Sequence, residues 1–125
     1  MGMLLSVGVG GGLGALARYC IAGWLTPAGA SFNWGIFVVN ITGGFLMGVI
    51  VEAGALKLNL SPEMRAFLTV GILGGYTTFS TFSLDSVLLL QKGQYGAAAF
   101  YMIGSVVLSI AALFVGLWIV RIFYA

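Results

Sequence analysis

Four apolar stretches, each long enough to cross a lipid bilayer, constrain this chain more than any other feature. They run over about residues 3–25, 33–53, 63–90 and 97–123, and short polar breaks carrying turn residues separate them. A hydrocarbon core of about 30 Å is spanned by about 20 residues of helix. No water reaches that depth, so backbone N–H and C=O groups must bond within their own segment, which predicts helices. Charge agrees with this reading. Soluble domains carry about 25% charged residues to hold a wet surface; here the share is 6%, from five basic and three acidic side chains in 125 residues. The expectation is an all-α integral membrane protein, a single domain over residues 1–125.

The same scarcity removes whole classes of function. Histidine is absent and Cys20 is the one cysteine, so an intrachain disulfide, a His/Cys zinc site and a histidine general base have no residues to form them. Glu52, Glu63 and Asp85 are scattered with no shared helical face, which argues against paired-carboxylate catalysis and so against an enzyme. Five dispersed bases do not make the basic face that nucleic acid needs. The N-terminus has neither a basic leader region nor an A-x-A site, so a removable signal peptide is not expected.

Boundaries and sidedness follow from particular residues. Pro27 and Gly29 end the first span, while Ser61 is placed to cap a third helix that Pro62 opens. Trp24, Trp34 and Tyr95 gather near two connectors on one side, and Trp118, Phe123 and Tyr124 near the other end of the last span, as interfacial belts require. Both termini then share a side. Lys57, Arg65 and Arg121 fall on that side, against Lys92 and Arg18 on the opposite one. Orientation is normally set by a bias in such charges. So small a bias predicts insertion in both directions.

Polar and small residues inside the spans carry the remaining information. Gly8 and Gly12, Gly10 and Gly14, and Gly44 and Gly48 are spaced four apart, which predicts small faces where helices approach closely. Asn40 sits mid-span, where a carboxamide is either interhelical glue or part of a transport path. Gly74-Gly75-Tyr76-Thr77-Thr78 places two glycines and two β-branched threonines at the centre of the third span. Helix propensity is lowest there, so the helix either kinks or breaks and frees carbonyls that can hold a monovalent cation. Phe79 and Phe82 follow on one helical face, among the hydroxyls of Ser80, Thr81 and Ser83. The rings either pack or turn their electropositive edges toward a small anion. Asp85 lies one turn further on, at the expected mouth of a cavity. In the last span Tyr101, Ser105 and Ser109 recur at steps of four, as a wet path or as serines bonded back to their own backbone.

Three of these runs together resemble one family. Gly11-Gly12-Leu13-Gly14-Ala15-Leu16-Ala17-Arg18-Tyr19, Asn40 with Gly44, and Gly74 through Ser83 are similar to the Fluc-type fluoride channels, also called CrcB proteins, and the resemblance covers essentially the whole chain. It implies a passive, fluoride-selective export channel, multi-pass in a bacterial plasma (inner) membrane. The implied assembly is an antiparallel, dual-topology homodimer with two pores, each subunit having four transmembrane helices with a broken third. It further implies a structural sodium ion at the dimer centre, held by the backbone carbonyls of Gly74 and Thr77 from both subunits. Phe79 and Phe82 would then be pore rings, Asn40 a donor facing the ion path, and Tyr101, Ser105 and Ser109 the fourth-helix positions, with Ser80 and Thr81 beside the rings. Implied partners are fluoride, a second copy of the chain and the bilayer. Asp85 stands where glutamate is commoner in the family, and Tyr76 occupies a tolerant position. A small multidrug-type antiporter shares the length, helix count and dual topology, but needs a carboxylate in the first span, which has none. A scaffold subunit would rest on the small-residue faces alone.

A topology reporter fused to either terminus is therefore expected to register on both sides of the membrane. A signal from one side only, at both termini, would exclude dual insertion.

Overall fold

The computed structural model describes residues 1–124, and all regular structure among them is helical. Helix α1 covers Gly2–Leu25 and α2 covers Trp34–Leu56. The third span opens with α3, Pro62–Ala66, continues as a π-helical segment over Phe67–Leu73, and ends its first half with the short α4, Gly74–Tyr76. After three non-helical residues, α5 runs over Ser80–Gln91, and α6 over Tyr95–Tyr124 completes the chain. Four of the resulting spans, Gly2–Leu25, Trp34–Leu56, Pro62–Gln91 and Tyr95–Tyr124, are long and apolar enough to cross a membrane.

Local chemistry sets the ends. Ser61 Oγ accepts from the Met64 amide at 3.1 Å, with Pro62 at the first helical position. Asn33 plays the same part for α2, its Oδ1 accepting from the Ile36 amide at 3.1 Å. Gly93, with φ of 74°, turns the chain between α5 and α6 in a left-handed conformation that a side chain would strain. The second span outlasts the 33–53 read from polarity. Glu52, near its end, is 8% exposed and pairs with Arg121 of α6 at 3.1 Å. Its charge is thereby answered inside the protein, and the helix continues to Leu56.

Close packing comes from two of the three glycine pairs. Gly44 and Gly48 let α2 lie against the α6 backbone at Ser109 and Leu113, and a β-carbon at Gly48 would overlap the Leu113 carbonyl. Gly10 and Gly14 do the same for α1, meeting Gly71 of the π-helical segment and the backbone of Ile72 and Tyr76. Gly8 and Gly12 do not pack within the chain, since a β-carbon at either meets nothing within 4 Å. The reason is periodicity: residues two apart lie on nearly opposite faces of a helix with 3.6 residues per turn. Two buried clusters result. Val39, Leu73 and Tyr76 fill one, while Ile36, Phe37, Leu89, Ala98 and Tyr101 fill the other. Large apolar side chains cover the outside, as lipid permits.

Gly48→Ala is expected to destabilise the protein by about 1–3 kcal/mol through overpacking, read as a lower thermal midpoint in detergent. Gly8→Ala should be neutral or stabilising by up to about 1 kcal/mol, because only helix propensity changes there.

Candidate functional site

The site begins where the third span stops being helical. Helical bonding ends at Tyr76, Thr77 is extended (φ −84°, ψ 158°), and the helix resumes at Ser80. Asn40 of α2 meets this gap with both ends of its amide. Its Oδ1 accepts from the Thr78 N–H at 2.9 Å and its Nδ2 donates to the Thr78 carbonyl at 3.2 Å. Further along α2, Thr42 Oγ1 lies 2.9 Å from the Tyr76 hydroxyl, which ties α4 to α2.

These bonds divert amides that a continuous helix would use. In an uninterrupted α-helix the Thr78 amide would close on the Gly74 carbonyl and the Thr81 amide on the Thr77 carbonyl. The Thr78 amide instead bonds Asn40, and the Thr81 amide donates to Thr78 Oγ1 at 3.2 Å. The Gly74 and Thr77 carbonyls are thereby left without their α-helical partners, as are those of Gly75 and Tyr76 in the same gap.

A groove of about 410 Å³ opens beside the gap. Asn40, Thr78, Phe79, Phe82, Ser105 and Ser109 line it, and no charged side chain among the described residues does. Phe79 is 77% exposed, and its ring centroid lies 5.5 Å from that of Phe82. The hydroxyl oxygens of Ser105 and Ser109 are buried without a hydrogen-bond partner among the described residues. Neither serine bonds back to its own backbone, in contrast to Ser83 and Ser86, which do so at 2.8 Å. A buried hydroxyl left unpaired costs about 1–3 kcal/mol. Both serines belong to one wall of the groove.

Three residues expected with this set lie elsewhere. Tyr101 is fully buried, and its hydroxyl donates to Asp85 Oδ2 at 2.8 Å. Its ring stacks on Phe82, with centroids 5.4 Å apart and planes at 20°. Ser80 is exposed, its hydroxyl 3.4 Å from that of Thr78. Thr81 lines a separate cavity of about 420 Å³ with Arg18, Thr26 and Asn33. Sequence reasoning missed the amide of Asn33, which donates to Asp85 Oδ2 at 3.0 Å. The only local signal was an asparagine just ahead of an apolar span, which marks a cap and says nothing of its distant partner.

Apolar helical spans around a polar, uncharged groove define an all-helical, multi-pass membrane protein. The chain belongs to the CrcB family: the family model described as "CrcB-like protein, Camphor Resistance (CrcB)" matches residues 5–117. It is 52% identical over 112 residues to the fluoride-specific ion channel FluC of Agrobacterium fabrum, covering 89% of this chain and 90% of that protein. Identity to the FluC protein of Rhodospirillum centenum is 50% over 125 residues, covering 97% of each chain. The Caulobacter vibrioides relative of the same name is 46% identical and covered in full, as is this chain. With its four membrane-crossing helices, the chain is a multi-pass protein of the plasma membrane.

Asn40→Ala removes both partners of the Thr78 peptide. Hydrogen exchange at the Thr78 amide is expected to quicken by at least about tenfold, the equivalent of roughly 1.4 kcal/mol. Exchange at wild-type rates would show that the amide does not hold the gap.

Proposed function

We propose that the chain is a passive, fluoride-selective channel that exports fluoride across the bacterial plasma (inner) membrane and carries no enzymatic activity. The observation that carries this reading is the groove, where two unpaired buried hydroxyls and a carboxamide face a pair of phenylalanines with no fixed charge among them. The family and the names of the relatives point the same way.

Fluoride is small and strongly hydrated, so a path must replace its water without trapping it. Conduction needs binding favourable enough to enter and weak enough to leave. Ser105 and Ser109 supply O–H donors, and the second N–H of the Asn40 amide is not engaged by Thr78. Phenylalanine edges carry partial positive charge and add attraction without a countercharge. Tyr101 covers one face of Phe82, so that ring offers the groove its edge or its opposite face. A lysine or arginine in the lining would bind the anion too tightly for passage.

The working unit in this reading is an antiparallel, dual-topology homodimer with two pores. Near-even division of Lys57, Arg65 and Arg121 against Lys92 and Arg18 favours both orientations. The groove supports pairing too, because Phe79 is mostly uncovered and one wall is missing within a single chain. The third span acts here as a broken helix whose released Gly74 and Thr77 carbonyls, from both subunits, hold a structural sodium ion. When bound, that ion contributes fixed positive potential near the anion path. The antiporter alternative finds no carboxylate in α1, Gly2–Leu25, and no support among the relatives.

Liposomes loaded with fluoride and reconstituted with the purified protein are expected to release it, read with a fluoride electrode, without a proton gradient. Phe82→Ile should slow this efflux by at least about tenfold, about 1.4 kcal/mol, while the size-exclusion profile of the dimer is unchanged. Vesicles that retain fluoride would defeat the channel reading, and normal flux through the variant would remove Phe82 from the path.

A further inference from the structure

One polar chain in the molecule runs away from the groove and ends on a groove ring. Thr26, just beyond α1, donates its hydroxyl to Asn33 Oδ1 at 3.0 Å, and its Oγ1 accepts from the Gly35 amide at 2.8 Å. Asn33 caps α2 with that same Oδ1 and uses its Nδ2 to donate to Asp85 Oδ2 at 3.0 Å. The same carboxylate oxygen receives the Tyr101 hydroxyl at 2.8 Å. Tyr101 then stacks on Phe82 and makes a T-shaped contact with Phe32, centroids 5.1 Å apart and planes at 86°. The path from the α1–α2 connector to the groove is continuous, and every step in it is a hydrogen bond or a ring contact.

We infer that Asn33 is a positioning residue for the anion path, acting through Asp85 and Tyr101 to set the orientation of Phe82. This rests on the fluoride reading of the groove. Two physical points carry it. Hydrogen bonds to a charged acceptor are the stronger ones, about 1.5–3 kcal/mol each, and two donors converge on one oxygen of Asp85. That oxygen therefore has a defined place, and so does the tyrosine it holds. A phenylalanine ring has no polar atom by which the protein could aim it, so only neighbouring surfaces can choose its tilt. The Tyr101 face is such a surface, and Tyr101 is itself fully buried with its hydroxyl directed to Asp85. Tyr101 thereby acts on the path through its ring, and its hydroxyl serves the network and not the ion.

Capping and positioning are separable in Asn33, because they use different atoms. Serine caps well but is too short to reach Asp85 and has no amide donor. Asn33→Ser keeps the cap and cuts the link, whereas Asn33→Ala loses both. Fluoride efflux from liposomes is expected to slow roughly tenfold in Asn33→Ser, as the loss of a hydrogen bond to a charged group implies. Tyr101→Phe should slow it similarly, and the double variant should be no slower than Tyr101→Phe alone. A second readout does not depend on transport. With para-fluorophenylalanine at position 82, the fluorine NMR resonance is expected to move in Asn33→Ser relative to the wild-type background.

Efflux and resonance both unchanged in Asn33→Ser, with Asn33→Ala alone impaired, would reduce Asn33 to a helix cap and overturn the inference. Additive effects in the double variant would overturn it as well. If wild-type vesicles pass no fluoride, the channel reading falls, and an unmoved resonance would then dispose of the positioning role separately.

Discussion

Hydrocarbon offers no partner to a peptide group, and the whole arrangement around the third span depends on how that demand is met at Thr78. An interruption of helical bonding in mid-membrane would leave donors and acceptors stranded at a cost of several kcal/mol each. Asn40 answers both groups of one peptide with its two amide atoms, at 2.9 and 3.2 Å. Thr78 Oγ1 takes the next amide that matters, that of Thr81. Once these side chains have captured the N–H groups, the carbonyls of Gly74 through Thr77 are left without their α-helical partners. A mid-span asparagine is therefore both glue and lining.

Rigid surroundings keep that gap in place. On one side α1 approaches the π-helical segment and α4 through Gly10 and Gly14, so closely that no β-carbon fits. On another, Gly44 and Gly48 bring α2 against α6, which carries Ser105 and Ser109 to the groove wall. Helices in lipid gain nothing from excluding water, so association relies on such contact between backbones and on a few interhelical bonds. An aromatic cluster of Phe32, Phe37, Phe100, Tyr101 and Phe82 closes the end near the α1–α2 connector. The groove thus has firm sides and an open front, and Phe79 stands at that front, largely uncovered.

Local pattern made much of this legible. Unbroken apolar length marked the spans, Ser61 before Pro62 marked the start of α3, and spacing of four marked the glycine faces that pack at Gly10 with Gly14 and Gly44 with Gly48. Pattern failed where a partner is remote. Glu52 and Arg121 are an example, since nothing local to either marks the ion pair they form between α2 and α6. Gly8 and Gly12 have the same spacing on a face of α1 that meets no other helix among the described residues. Tyr101 shares a helical face with Ser105 and Ser109, yet its hydroxyl reaches Asp85 and stays out of the groove, since a ring of that length bonds where its oxygen ends and not where its Cα points.

Composition and periodicity alone determined that the chain lies in a membrane, how many times it can cross, and which stretches carry polar chemistry, because the bilayer is a solvent that tests every residue in turn. Tertiary structure alone decided which polar atoms are already spent on one another and which remain to meet a ligand. Hydrogen bonds between Asn40 and Thr78, or among Asn33, Asp85 and Tyr101, join residues far apart in sequence. Their formation depends on distances of a few ångströms that only the packed helices define.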